Sequence, residues 1–252
     1  VPLEQVIVEQ GDSDVLSIGG GTGGSCLMPI AANTLHRAAL QLIEDNKENA
    51  AERLEASVAD IVYGEGAFQV VGTDRQVTWG DLAAGDEEEP SCASSADFEG
   101  LHTTFPNGAY VVEVELDPET GKVSVDRFIG VSDVGKVMSY HGVMGQIHGG
   151  IAQGLGEVVM EELVHSPDGQ LLTGSLMDYA LPRADDLPDL KMELFQTPSP
   201  NSALGVKGVG ELSSIGAPGV IMNAIIDAAG VRHIDKPLTP ARIWQAMQDE
   251  AG

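Results

Sequence analysis

The chain has 252 residues, 42% of them hydrophobic, enough to bury a sizeable core in one large domain or two small ones. Thirteen basic residues stand against 39 acidic ones, and the formal net charge of -26 repels phosphate backbones and anionic membranes, which argues against nucleic-acid and lipid partners. The two cysteines, Cys26 and Cys92, lack CxxC spacing and suggest neither a disulfide framework nor a metal cluster. No basic leader precedes an apolar run, and no apolar stretch approaches the roughly 20 residues of a bilayer span, so a soluble chain in a reducing cytoplasm is expected.

Taken in chain order, the β-rich segment 5–10 reads as a strand, and GDSD then leads into the glycine cluster Gly19–Gly24. From Pro29 to about Asp45, Ala31, Leu35, Ala38 and Leu42 recur at three- and four-residue steps. That spacing predicts an amphipathic helix with Pro29 in its first turn. Apolar segments 60–63 and 68–71 around Gly64, Glu65 and Gly66 read as a hairpin, and TWGDL at 78–82 starts another short element. The run GDEEEPSCASS at 85–95 combines like charges, Pro and small polar residues, so it is expected as an exposed linker near a subdomain boundary. Beyond it, AYVVEVEL and KVSVDRFIGV flank the turn DPETG at 117–121 and predict an antiparallel hairpin. Helices are expected at about 141–157, 220–229 and 240–249, with a strand at 191–195. This mixture predicts an α+β fold, not a regular βαβ array.

Three motifs invite chemistry. GGGTGGS, Gly19–Ser25, lies between the first strand and the first helix, where glycines let backbone N–H groups approach a phosphate. A ligand-free turn is the plainer alternative, since no Walker lysine follows. In HGVMGQIHGGIAQGLGE, His141–Glu157, Val143, Ile147, Ile151 and Leu155 recur every four residues among six glycines. Each interior glycine costs a helix about 1 kcal/mol, so such a helix needs a backbone or a ligand pressed against it. Gln146, Gly149, Gly150 and Gln153 share a face, and an amide offers the donor and acceptor that suit a pterin or pyrimidine edge; glycine-mediated helix packing is the alternative. His141 and His148 are seven residues apart, which does not suggest metal ligation. In LGVKGVGELSSIGAPG, Glu211 sits among small residues in a loop before an apolar helix, so its carboxylate could project into a cavity. Shielded from water it would take up a proton near neutral pH, while Lys207 nearby would oppose that; a solvated loop glutamate is the alternative.

In this order and spacing, GDSD with GGGTGGS, DVG with GQIHGGIAQGLGE, and GVKGVGE with IGAP resemble the large molybdenum subunits of the xanthine dehydrogenase, aldehyde oxidase and carbon monoxide dehydrogenase family. The likeness spans nearly the whole chain. It implies the C-terminal half of the molybdopterin-binding region, folded as two α+β subdomains. By position it places Thr22, Gly24 and Ser25 in the loop that holds the cofactor phosphates, Gln146 at the pterin, and Gly210 with Glu211 beside molybdenum, Glu211 being the catalytic base. The metal is held through the pterin dithiolene, so no direct protein ligand is expected. The pterin in bacterial members usually bears a cytosine nucleotide.

The resemblance also implies a hydroxylase that inserts water-derived oxygen into a C–H bond of an N-heteroaromatic or aldehyde substrate. Electrons would pass to 2Fe-2S clusters and FAD on partner chains, since two cysteines cannot ligate clusters here. A further partner would carry the first half of the molybdenum domain, because no counterpart precedes Val1; the chain is expected to be a subunit of a split enzyme or a cleaved piece. Carbon monoxide oxidation, a non-catalytic scaffold retaining the fold, and a nucleotide-binding module resting on GGGTGGS alone are the competing readings. Ser139 and Tyr140, and again Ser202 and Ala203, stand where the family often has Asn-Pro.

Overall fold

The helix and strand signals resolve into an α+β arrangement in the computed structural model, which describes residues 2–14, 21–84, 92–96 and 103–251. Two units can be separated, one comprising Val1–Thr22 and Ile30–Leu101, the other Gly23–Pro29 and His102–Gly252. Residues 85–91 of the expected acidic linker, and Gly19 and Gly20 of the glycine cluster, lie outside the described residues.

The first unit is built on a long helix and a small sheet. Helix α1 spans Leu27–Arg53, well beyond the 29–45 expected. Strands β1 (Ile61–Gly64), β2 (Ala67–Val70) and β3 (Gln76–Thr78) form an antiparallel meander. Its first turn is the two-residue loop Glu65–Gly66, both with positive φ (52 and 85), the geometry that matches strand twist in tight hairpins. Helix α2 (Trp79–Ala83) starts on a capping box between Thr78 and Asp81. Phe68 is fully buried with Ala50, Ala51, Leu54 and Ile61 around it. Trp79 packs edge-on to it at 4.9 Å and donates its indole N–H to the Tyr63 hydroxyl at 2.9 Å.

Two expectations fail in this unit. Segment 5–10 is not a strand: Leu3–Gln5 makes a 3-10 turn and the residues after it have no regular structure. A β-rich composition alone cannot make a strand, because the ladder needs a neighbouring backbone. The stripe expected to face the core is also displaced. Leu35 is 70% exposed, whereas Ala32, Asn46, Ala50 and Ala51 are buried. Asn46 tolerates burial because its amide donates to the Leu42 carbonyl at 2.9 Å and accepts from Asn49.

In the second unit, β4 (Asn107–Leu116) and β5 (Val123–Asp133) form the expected hairpin, and β6 (Asp189–Phe195) runs parallel to β5. Alternate residues Tyr110, Val112, Val114 and Leu116 turn toward α3 (Tyr140–Val159) and α4 (Leu212–Ala229), while α5 (Pro240–Ala251) contributes the buried Ile243. The glycines of α3 divide into two sets. A Cβ on Gly150 would lie 2.9 Å from both Ser213 Cβ and Ser214 N, and one on Gly154 2.8 Å from Ala217 Cβ and 2.9 Å from Pro218 Cδ. Those two glycines admit α4. Gly145 and Gly149, by contrast, face open space. Gly150 therefore belongs to the packing side and not to the exposed face that carries Gln146, Gly149 and Gln153.

Helix α4 begins at Leu212, not at 220, and runs straight through Pro218. Gly154 leaves room for the proline ring, so tertiary packing overrides a local helix breaker. By length and composition α4 would suit a membrane span, with 18 residues and a mean hydropathy of 1.3, a feature not expected from the sequence. One face of it enters the core of the second unit, with Ser213, Ala217, Ile221 and Ile225 buried.

Candidate functional site

Around Glu211 the second unit assembles three segments that are far apart in sequence. Glu211 is the N-cap residue of α4, not a mid-loop residue, and its side chain is exposed. Ser25 holds it twice: the Ser25 hydroxyl accepts from the Glu211 backbone N–H at 2.9 Å and donates to the Glu211 carboxylate oxygen Oε2 at 3.0 Å. Together these bonds restrict the carboxylate and leave Oε1 without a bond to Ser25. The shelter from water expected for this carboxylate is not supplied by the described residues of this chain.

The glycine pattern of GVKGVGE follows from this convergence. A Cβ on Gly208 would fall 2.3 Å from the Ser25 carbonyl oxygen, so only glycine lets the Ser25 segment approach. At Gly210 the same construction lies 3.3 Å from Ser25 Oγ and 3.5 Å from Gln146 Oε1. Gly210 thus marks where the exposed Gln146 amide, the Ser25 hydroxyl and the Glu211 backbone meet. Gly24 is exposed in left-handed backbone, φ 59, followed by Ser25 at φ 55, with open space at the Gly24 Cβ position. Thr22 is exposed and belongs to the first unit.

Two residues whose pairing the sequence did not reveal hold the loop. Lys207 donates to Asp133 Oδ2 at 2.9 Å, with side chains only 9% and 14% exposed. Lys207 is thus committed to Asp133 and is not the neighbour opposing Glu211. Asp133 Oδ1 also accepts the backbone N–H groups of Gly135 at 2.9 Å and Thr197 at 3.0 Å. Burial pushes the Asp133 carboxyl up, but the Thr197 and Gly135 N–H donors and the Lys207 ammonium outweigh it and bring it down to about 2. One carboxylate therefore ties the end of β5, the residues after β6 and the GVKGVGE loop together. The loop also pairs by backbone: Lys207 N–H donates to Val134 O at 2.9 Å and Lys136 N–H to Gly205 O at 2.9 Å. DVG and GVKGVGE were recognisable as motifs; their partnership was not, because 74 residues separate Asp133 from Lys207.

Ser139 and Ser202 turn out differently. Ser139 caps α3, its hydroxyl accepting from Gly142 N–H at 3.2 Å. Among the described residues the buried Ser202 hydroxyl has no hydrogen-bond partner.

The exposed Gln146 amide offers a donor and an acceptor close to the hydroxyl and carboxylate of the Ser25–Glu211 pair, and a Cβ built at Gly24, Gly145 or Gly149 would meet nothing within 4 Å among the described residues. The class follows: the chain belongs to the molybdopterin cofactor-binding domain family, whose model matches residues 1–188. Gly210 and Glu211 lie beyond that match, but the individual relatives extend over them.

Among the most similar of those, the chain is 34% identical to the 6-hydroxypseudooxynicotine dehydrogenase complex subunit gamma of Paenarthrobacter nicotinovorans, over 97% of this chain and 32% of that one. It is 32% identical to the carbon monoxide dehydrogenase large chain of Hydrogenophaga pseudoflava, over 99% of this chain and 32% of that one. The crystal structure of the Cu,Mo-CO dehydrogenase in its carbon monoxide reduced state matches with a TM-score of 0.90 at 28% identity, covering 100% of this chain and 33% of that one. Quinoline 2-oxidoreductase from Pseudomonas putida 86 gives 0.80 at 31%, covering 91% and 31%. The chain thus spans about a third of the length of the curated relatives it matches.

Proposed function

We propose that this chain forms the C-terminal part of the molybdopterin site of a molybdenum hydroxylase, with Glu211 as the proton acceptor. The observation that carries the reading is the double hydrogen bond of Ser25 to Glu211, which presents an anchored carboxylate beside the Gln146 amide. Thr22, Gly24 and Ser25 would meet the cofactor phosphates, Gln146 the pterin, and Gly210 would leave space beside the metal. When bound, the cofactor supplies the two-electron oxidation and the oxygen transfer. Overall, substrate C–H and water give C–OH, two protons and two electrons. The electrons pass to 2Fe-2S and FAD partner chains, and Glu211 takes up one of the protons. Ser25 fixes the direction in which the carboxylate receives it. An N-heteroaromatic substrate agrees with the nicotine- and quinoline-type names among the relatives; an aldehyde substrate and a cytosine dinucleotide form of the pterin complete the proposal.

The test is Glu211→Gln in the intact complex, which keeps the shape but removes the proton acceptor. Turnover is expected to fall by at least about a hundredfold with molybdenum content unchanged. Unchanged turnover, or a native complex without molybdenum, would remove the catalytic reading. Carbon monoxide oxidation is the second reading, favoured by the TM-score of 0.90. Assays with carbon monoxide, an aldehyde and a quinoline separate the two.

A further inference from the structure

The face of β4 that meets the helices is apolar except at one position. Of Tyr110, Val112, Val114 and Leu116, Tyr110 alone carries a polar group, and its ring lies in a slot cut by glycines. A Cβ on Gly130, its cross-strand partner on β5, would fall 2.4 Å from Tyr110 Cδ1, and one on Gly216 of α4 would fall 2.5 Å from Tyr110 Cε2. A Cβ on Gly108 would reach the phenol oxygen at 3.1 Å. The ring is therefore pressed directly between sheet and helix. Its oxygen lies between two buried hydroxyls, 3.3 Å from Ser132 Oγ and 3.4 Å from Ser213 Oγ, residues only 0% and 1% exposed. A phenol donates one proton and accepts others, so it can satisfy both serines at once. Packing alone would be met by a phenylalanine, such as Phe128 with its ring 5.4 Å away; the hydroxyl bridge is additional to it.

We infer that Tyr110 is a positioning residue for Glu211: by holding Ser213 and Gly216 it fixes the first turn of α4, and with it the carboxylate at the N-cap of that helix. Ser213 stands two residues after Glu211 and is confined from the other side by α3, where a Cβ on Gly150 would lie 2.9 Å from Ser213 Cβ. Gln146 lies about one turn before Gly150 on α3. The contacts that seat Ser213 therefore also set how Glu211 lies relative to the Gln146 amide. Within the same turn the Ile215 N–H donates to the Glu211 carbonyl at 3.1 Å, which couples the turn to the N-cap backbone. Ser25 orients the carboxylate itself, whereas Tyr110 holds the backbone that carries it. A proton acceptor displaced by a fraction of an ångström loses its reach, so a loosened turn costs rate and not substrate affinity. The inference rests on the Glu211 reading above and adds the residue that keeps the base in place.

The experiment compares Tyr110→Phe with the parent in the intact complex, by kinetics on whichever of carbon monoxide, an aldehyde or quinoline it oxidises, by molybdenum content, and by hydrogen exchange of the peptide covering residues 211–216. The variant should lower kcat by about tenfold, the worth of one to two hydrogen bonds, with KM and molybdenum content unchanged. Amides of that peptide should exchange about tenfold faster while those of β5 keep their rates. On a Glu211→Gln background Tyr110→Phe should cause no further loss of turnover. Ser213→Ala removes the other end of the bridge, should act in the same direction, and replaces the phenylalanine variant if that one does not fold. Tyr63→Phe, which removes a hydroxyl from the first unit, should leave kcat and exchange unchanged. Unchanged exchange in both bridge variants, a loss that persists on the Glu211→Gln background, or a change in KM or molybdenum content in place of kcat would overturn the proposal. Faster exchange while Glu211→Gln itself retains turnover would keep Tyr110 as the holder of α4 and remove the base reading. A Glu211→Gln complex that loses turnover beside bridge variants that behave as the parent would do the reverse.

Discussion

The Glu211 loop and the start of the first unit are both irregular backbone next to a helix, yet one is fixed and the other bare. Residues 205–211 are tied by a nearly buried ion pair, by backbone bonds to Val134 and Lys136, and by a serine that grips Glu211. Residues 6–10 have exposed apolar side chains and no sheet. The contrast separates a loop held by partners distant in sequence from a segment that has a strand's composition and no ladder among the described residues. If so, the two regions must respond differently to substitution.

The largest effect is expected at Asp133 and Lys207. Removing one member of a buried pair leaves the other charge unpaired, so Lys207→Met should cost about 3–5 kcal/mol in denaturant unfolding. Asp133→Ala should cost more, because two backbone donors lose their acceptor as well. The same pair sets an acid limit. A carboxyl at about 2 in the folded chain, against an ordinary 3.8, contributes stability that is complete above the ordinary value and lost as pH falls from there toward 2. That contribution is about 2 kcal/mol. Acid unfolding of Asp133→Asn should be correspondingly flatter across this window, and an unchanged profile would mean the loop is not held as described.

Next come the glycines of α3, which distinguish packed from open backbone within one helix. Gly154→Ala forces a methyl against Ala217 and Pro218 and should destabilise by about 1–3 kcal/mol. Gly149→Ala, in open space, should stabilise the chain by up to about 1 kcal/mol through helix propensity while lowering the molybdenum content of the complex. Equal effects in thermal melts would erase the division between the two sets. Ser25→Ala should lower turnover of the complex by about tenfold, the worth of one to two hydrogen bonds, with little change in melting temperature. Ser25→Thr, which keeps the hydroxyl, should recover part of the loss. The smallest effect is expected at Ser202→Ala, neutral or stabilising by up to about 1 kcal/mol in the same melts, since it removes a buried hydroxyl that has no partner among the described residues.

Much of the fold was legible because its signals are local. The DPETG hairpin, the Glu65–Gly66 turn, the short element started by TWGDL and the four-residue recurrence in α3 each specify a conformation within a few residues. Where a signal needed a distant partner it misled. Residues 5–10 have a strand's composition without a ladder, and Pro218 has a breaker's chemistry inside a helix that Gly154 accommodates. The site divides in the same way. Gln146, Gly210, Glu211 and the TGGS segment stood out as motifs, but the Ser25 bond to Glu211 spans 186 residues, and no periodicity encodes it.

The sequence by itself determined the residue types of the site, the α+β class, and which helix carries too many glycines to stand alone. Tertiary structure decided which glycines admit α4 and which face open space, that Lys207 serves Asp133, and that Ser25 grips Glu211. The physical reason is range: turn chemistry and helix periodicity act over a few residues, whereas an ion pair or a close backbone approach exists only once the chain has brought its ends together.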